Sequence, residues 1–383
     1  MSEVEVGALE ARIREVGLAL GLDAVGFARA LPTARTRFLR EWLDRGFGGE
    51  MHYLERRAEE RIDPRRILPG ARSWIVGVLA LPAMEPARAP AEDSVAEAMS
   101  AADPGVKGGA LAGPSHAIGR VARYAGGDDY HDVLLDRIRA LEAALPILVA
   151  HPIESRSWVD TGPVPEKAVA EAAGLGWIAK NTCLIHPELG SHVMLGSILC
   201  DLELTVDPPV ADHCGSCRAC LDACPTAAFP EPYVLDATRC LSYTTIELRG
   251  PIPEPLRAAQ GDRVFGCDEC QTVCPWNRSR PRRPLADPLG LRARLAPRDA
   301  WRAPPLAWLL SLDEDRFAEA TKATALRRTR RVGLLRNALV AAGNAADPAL
   351  RSAVERHLES DEPILREHAR WALARIEGVG SAD

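Results

Sequence analysis

Eight of the ten cysteines in this chain fall between Cys214 and Cys274. The first run, Cys214-Gly-Ser-Cys217-Arg-Ala-Cys220-Leu-Asp-Ala-Cys224-Pro225, is C-x2-C-x2-C-x3-C-P, a spacing that ligates iron–sulfur cubanes. The second, Cys267-Asp-Glu-Cys270-Gln-Thr-Val-Cys274-Pro275, keeps C-x2-C-x3-C-P, and Cys240 supplies the missing cysteine. Three cysteines two residues apart wrap a loop around one face of a cubane, so a fourth ligand must come from elsewhere. Where two clusters are bound, the last cysteine before proline ligates the other cluster. The expected sets are therefore Cys214, Cys217, Cys220 and Cys274 for one [4Fe–4S] cluster, and Cys224, Cys240, Cys267 and Cys270 for the second. Zinc ribbons use C-x2-C pairs, not two runs each closed by proline. Disulfides need an oxidising compartment to which nothing in the chain points. Cys183 and Cys200 lie outside both runs and read as small buried apolar residues.

Clusters pass electrons singly, so another part of the chain must hold a substrate. Three polar stretches stand at the ends of expected elements: Gly49-Glu-Met-His-Tyr-Leu-Glu-Arg-Arg57, Arg123-Tyr-Ala-Gly-Gly-Asp-Asp-Tyr-His131, and Val159-Asp-Thr-Gly-Pro-Val-Pro-Glu-Lys167 with its continuation to Asn181. Asp160 follows a short strand and precedes a helix, so it either caps that helix or, against an apolar wall that raises its pKa, acts as a general acid. Asp129 has the same two readings. Lys167 and Lys180 read first as surface ion pairs. No G-x-G-x-x-G and no P-loop is present, so no nucleotide site is indicated.

The elements that must position these residues follow from periodicity. Helical spacing covers 8–20, 37–44, 132–145 and 163–173, and strands are expected over 22–28, 74–81, 155–159 and 192–199. The continuous apolar run Trp74–Leu81 suits a strand covered on both faces. Strands alternating with helices indicate an α/β domain over 1–205. A two-cluster iron–sulfur domain follows over 206–285, then a linker and an all-α segment over 286–383. Leu334–Ala342 and His368–Ile376 have similar texture and read as stacked HEAT-like hairpins. The stretch Pro82–Ala117 lacks a pattern and reads as disordered or as a lid.

Net charge is −6, but the segment from Arg278 to Arg336 carries 15 Lys and Arg against six Asp and Glu. A basic segment in an acidic chain means either a polyanionic partner or a solvated helix face. No apolar run is long enough to span a bilayer, and the acidic N-terminus resembles no export signal, so the expectation is a cytoplasmic chain with no membrane.

The sequence as a whole resembles the epoxyqueuosine reductase family of tRNA-modifying enzymes. The resemblance rests on Ala122-Arg-Tyr-Ala-Gly-Gly-Asp-Asp-Tyr-His131, Val159–Lys167, Gly174-Leu-Gly-Trp-Ile-Ala-Lys-Asn-Thr182, Cys240-Leu-Ser-Tyr-Thr-Thr-Ile-Glu247 and Gly266-Cys-Asp-Glu-Cys-Gln-Thr-Val-Cys-Pro-Trp-Asn277. It covers residues 8–376. It implies a ferredoxin-like two-cluster domain and an α/β domain similar to that of reductive dehalogenases and binding cobalamin. It also implies reduction of epoxyqueuosine to queuosine at the wobble position of tRNA, with a cellular electron donor and contact to the anticodon region. The family's proton donor falls on Asp160 and a second acid on Asp129. The implied cofactor contacts are Arg57, Tyr124, Asp160, Lys167 and Ser242. One departure is Tyr124-Ala-Gly-Gly127, where the family carries Tyr-Ala-Arg-Gly, and another is the length of the 82–117 loop. Pro114-Ser-His-Ala-Ile-Gly119 lacks the Asp of the Asp-x-His-x-x-Gly cobalt-ligand motif, so a base-off cofactor is expected. Two other functions compete: a reductive dehalogenase of small organohalides, and an electron carrier fused to a helical interaction module. The basic segment favours the tRNA enzyme over the first, and the large α/β domain argues against the second.

Overall fold

The computed structural model describes residues 3–82, 115–278 and 285–378. Most of the expected 82–117 lid, and residues 279–284 of the linker region, lie outside the described residues. The chain forms two compact units, each drawn from three chain segments. The first takes its described residues from Met1–Pro82, Asp129–Asp236 and Glu269–Ala296; the second takes them from Ala83–Asp128, Ala237–Asp268 and Pro297–Asp383. The cysteine segment, continuous in sequence, is shared between them.

In the first unit, β1 (Ala24–Arg29), β2 (Ser73–Ala80), β3 (Ser155–Trp158) and β4 (Val193–Cys200) form one sheet in the order β1-β2-β4-β3. Helices separate the strands along the chain, yet every pairing is antiparallel, with Trp74 opposite Leu199 and Ser155 opposite Cys200. All eight residues of β2 are buried, as its unbroken apolar run requires. Helices α1 (Glu3–Ala19) and α3 (Tyr130–Val149) pack on one face. α2 (Ala34–Asp44) is closed by a capping box in which Thr33 and Thr36 satisfy each other's backbone N–H. α4 (Glu166–Ala172) lies over the opposite face of the sheet, where Val169 and Ala170 pack with Val76, Val78 and Leu199.

The seating of α3 decides the site. Leu134, Ile138, Leu141 and Leu145 form one stripe at helical spacing and are fully buried, each worth about 1.5–3 kcal/mol relative to exposure. Beneath the stripe, Gly77 and Gly196 stand opposite each other across β2 and β4. A Cβ on Gly196 would meet Ile138 at 2.5 Å and one on Gly77 would meet it at 2.9 Å. The paired glycines thus make the slot that Ile138 fills, and any side chain there would lift the helix. At the sheet edge, Glu142 of α3 accepts hydrogen bonds from Ser155 (2.8 Å) and Ser157 (2.5 Å) of β3. The eleven helical steps from His131 to Glu142 rise about 16 Å. The strand from Ser155 to Trp158 and the two residues after it cover roughly the same distance. The antiparallel course of the two elements therefore returns Asp160 to the N-terminus of α3.

The second unit is mainly helical over its C-terminal part. α5 (Arg330–Ala345) and α6 (Pro363–Ile376) pack along each other, and Gly343 leaves room for Trp371 and Ala372. Arg336 and Asn337 are buried in α5 and fully engaged. Arg336 donates to the carbonyls of Thr244, Leu248 and Gly250, and Asn337 donates to those of Thr245 and Val264. Among the described residues, no helix is long and apolar enough to cross a membrane.

Candidate functional site

Four thiols surround one cavity in the first unit. Cys214, Cys217 and Cys220 line it together with Cys274, which is more than fifty residues away in sequence. The cavity measures about 260 Å³, and its other walls are Ala179, Lys180, Asn181, Ile185, His213, Pro275 and Trp276. A single ion would leave most of that space empty, and no three His, Cys, Asp or Glu among the described residues converge tightly enough to hold one ion. Thiols arranged around a space of this size fit a cluster. Burial pushes the Cys214, Cys220 and Cys274 thiols up, Cys220 to about 11 with the neighbouring Cys274 and Cys214 adding to the effect. Cluster assembly must therefore displace protons.

The loop around the cavity is held from outside. Lys180 donates to the carbonyls of Gly215 (2.5 Å) and Cys217 (2.9 Å), so it braces the cysteine loop. Asn181 donates to the Cys270 carbonyl, and the Asp212 carboxylate accepts the Cys214 N–H at 2.7 Å. Asn277 bonds to Ser191 and to the Gln271 carbonyl, which anchors the end of the second run. Of the second expected set, Cys224 and Cys270 belong to the first unit and Cys240 and Cys267 to the second. The Cys224 sulfur already accepts the Ala228 N–H at 3.3 Å, a bond suited to a thiolate ligand. Outside both sets, Cys200 is fully buried and pushed up to about 12 by burial, while Cys183 is half-buried and close enough to raise Cys274.

The second candidate centre is a chain of polar groups around Asp160. Its carboxylate accepts a hydrogen bond from the Tyr130 hydroxyl at 2.7 Å and faces His131 Nε2 at 3.4 Å. The other ring nitrogen, Nδ1, lies 2.6 Å from Asp129. Asp129 caps α3 through the His131 N–H, as one of its two readings held. Asp160 is not the cap of α4: the N-cap position is Pro165, with no side-chain cap. Burial alone would depress the His131 pKa, but Asp129 and Asp160 outweigh it and push it up to about 9. The imidazole is thus protonated at neutral pH. Burial works against ionisation of Asp129 too, and the hydrogen bonds from His131 still hold it below the usual carboxylate range.

Backbone geometry sets this carboxylate in place. Asp160 has φ +56°, a left-handed conformation uncommon for a residue with a Cβ. Its N–H donates to Glu166 Oε1 at 2.7 Å. Burial, reinforced by the charge of Asp160, pushes the Glu166 carboxyl up to about 8, so it accepts that bond as a neutral acid. Tyr130, His131 and Glu166 stand within the polar stretches noted in the sequence, but no role attached to them there. Their only sequence signal is adjacency to Asp129, Asp160 and Lys167. The Asp160 side chain remains 60% exposed, with Tyr130 and His131 on its carboxylate.

The other candidate contacts are dispersed. Arg57 pairs with Glu60 and lines a cleft of about 490 Å³ with Arg40, His52, Glu55 and Arg56. Lys167 is exposed in the first turn of α4. Tyr124 and Ser242 belong to the second unit, where Tyr124 packs against Phe265 at 6.2 Å and Ser242 sits in the short helix after Cys240. The basic segment is less free than its charge count suggests. Arg292 is buried against Asp23, and Arg336 is buried among carbonyls. Arg298 pairs with Asp128, Arg328 with Glu247 and Arg331 with Glu314. Arg327 and Arg330 remain exposed beside a cleft of about 500 Å³.

Comparison with known proteins gives consistent results across the chain. Residues 213–277 match the 4Fe-4S double cluster binding domain, and residues 61–161 match the family model named Epoxyqueuosine reductase QueG. The epoxyqueuosine reductase of Escherichia coli is 37% identical over 378 residues, 98% of this chain and 92% of that protein. The Pseudomonas aeruginosa enzyme is 38% identical over 98% of this chain and 96% of its own length. Among solved structures, an epoxyqueuosine reductase crystallised with an epoxyqueuosine-modified tRNA-Tyr stem loop superposes with a TM-score of 0.80 at 30% identity, covering 97% of this chain and 91% of that one. The Streptococcus thermophilus enzyme gives 0.78 at 28% identity over 98% and 91%.

Proposed function

The chain belongs to the epoxyqueuosine reductase family, and from that premise we propose how it reduces epoxyqueuosine to queuosine at the wobble position of tRNA. The reaction removes the epoxide oxygen as water and leaves an alkene, taking up two electrons and two protons. Two [4Fe–4S] clusters, one on Cys214, Cys217, Cys220 and Cys274 and one on Cys224, Cys240, Cys267 and Cys270, deliver the electrons one at a time from a cellular donor. The observation that carries this reading is the near-full-length family relationship, together with the four thiols around one cavity.

Single electrons must be combined at a carrier able to deliver two. Cobalamin supplies an electron-rich cobalt for that purpose. The residues that would hold it are Arg57, Lys167, Asp160, Tyr124 and Ser242; Lys167 and Asp160 are exposed, and Arg57 lines a cleft of mixed charge. The protons belong to the network of this chain. Asp160 stands at the open end, Tyr130 and the His131 imidazolium hold a proton against it, and Asp129 keeps the imidazole oriented. Asp160 passes a proton to the leaving oxygen and is resupplied from His131.

Residues 1–205 hold cofactor and proton donors, 206–285 carry electrons, and 286–383 supply a HEAT-like surface for the anticodon region of a cytoplasmic tRNA. Anaerobically reconstituted protein, loaded with cobalamin and given a low-potential reductant, should convert an epoxyqueuosine stem loop to queuosine. The product is read as the loss of one oxygen by mass spectrometry. Full cluster and cobalamin loading without that mass change would refute the proposal.

A further inference from the structure

Packed against two of the cavity's thiols, Cys214 and Cys274, is a buried donor with nothing to donate to. Trp177 is 1% exposed, and its indole Nε1 has no hydrogen-bond partner among protein oxygens or nitrogens. An indole N–H is a donor only, and buried donors are nearly always paired, because leaving one unpaired costs about 1–3 kcal/mol. A phenylalanine would fill the same apolar space without that cost, so the N–H implies an acceptor.

The ring cannot turn elsewhere. Trp177 pairs with Ile185 in a two-residue strand, and Gly176 before it has φ +156° with the Ile185 carbonyl so close that a Cβ would sit 2.1 Å away. The Ile178 N–H that follows is held by Glu171 at 2.8 Å. The indole plane is fixed by edge contacts to His213 at 5.1 Å and Trp276 at 4.8 Å. It packs in one apolar group with Cys214 and Cys274, which leaves the cysteine sulfurs as the acceptors beside its N–H.

We infer that Trp177 donates an N–H···S hydrogen bond to the cluster held by Cys214, Cys217, Cys220 and Cys274, and so raises the reduction potential of that cluster. The physical reason is that a reduced cluster carries one more negative charge, which a fixed donor stabilises more than it stabilises the oxidised form; hydrogen bonds to the sulfurs are among the determinants of cluster potential. Trp177 acts through the cluster, not on the substrate. The inference rests on the two-cluster reading, and iron content separates failure of one from failure of the other.

Redox titration of Trp177→Phe holoprotein, followed by electron paramagnetic resonance, tests it. With about eight irons per chain retained, as in the unaltered protein, one cluster should titrate at a more negative potential and the other should stay in place. A tenfold fall in the ratio of reduced to oxidised cluster at fixed potential is about 59 mV for one electron. Two unchanged midpoints at full iron content would overturn the inference. If the variant loses its cluster, the unaltered holoprotein labelled with ¹⁵N-indole tryptophan decides the matter. Pulsed spectra of its reduced form should show coupling between a cluster and an indole nitrogen, and the absence of any such coupling refutes the bond.

Discussion

The thiol cavity and the Asp160 network share one compact unit and are built on opposite terms. Around the cavity the walls are largely apolar, burial pushes three of the thiols up, and the Trp177 N–H is left unmatched. Around Asp160 each polar group has a partner already: Tyr130 and His131 on its carboxylate, Asp129 on His131, Glu166 on its N–H. Under the proposed function, the electron site is completed by the cluster that enters it, so its protein groups are left in need of charge. A proton site must hold its proton before substrate arrives, so its charges are matched in advance. That matching carries the His131 proton to about 9, beyond the range of a free imidazole.

The comparison is broken most severely at Cys274. Because this residue lines the cavity of the first run, Cys274→Ser should cost a whole cluster, with iron falling from about eight to about four per chain. The spectrum lost should be that of the Cys214 cluster; its survival would show that the cavity ligands come from elsewhere. Asp160→Asn attacks the other centre. It should keep both clusters and the affinity for tRNA while lowering epoxide reduction by about 10²–10⁴-fold. Near-normal turnover would pass the donor role to another member of the network.

Glu166→Gln sharpens the comparison, because glutamine still accepts the Asp160 N–H but cannot ionise. In the unaltered protein, Glu166 gains a negative charge beside Asp160 as pH passes about 8, so activity should fall from there. In the variant the alkaline limb should move toward about 9, where His131 loses its proton. The stability sign follows. From the ordinary 4.5 up to about 8 the folded state keeps a proton that the unfolded chain has lost, so stability falls as pH rises through that window. Glu166→Gln should flatten that decline in denaturant titrations at successive pH values.

The smallest effects are expected on the basic segment. Arg327→Gln and Arg330→Gln should each reduce the salt slope of tRNA binding by about 1. The same change at Arg328 or Arg331, whose charges are spent on Glu247 and Glu314, should reduce it less. Equal effects at all four positions would mean that those ion pairs open to meet phosphate.

Much of this was legible in local pattern. The four sheet strands and the helices α1 to α4 of the first unit fall where their periods place them: the stripe from Leu134 to Leu145 marks α3, and the unbroken run of β2 marks a strand buried on both faces. Short elements such as the helices His52–Arg56 and Ala58–Ile62 carry no such signal. Direction of pairing was not legible, since helices between strands leave parallel and antiparallel sheets equally open until the strands meet. Net charge misled for a related reason. A sum over residues 278–336 counts Arg292 and Arg336 as surface cations, although both are buried and satisfied by groups distant in the chain.

By itself the sequence determined the ligand chemistry, because cysteines two and three residues apart on one loop can reach a common cubane whatever the rest of the fold does. It also placed Asp129 at a helix start, since a cap bonds within its own turn. Only the tertiary structure decided what surrounds Asp160. Its partners Tyr130 and His131 are about thirty residues away, and they reach it because a glycine pair in the sheet seats α3 at one depth and Glu142 fixes its height along β3. The same is true of the lone N–H of Trp177, whose missing partner shows only when the chain has closed around the cavity. A spacing rule acts over a few residues, whereas hydrogen bonding of a buried group is settled by whatever packing brings beside it.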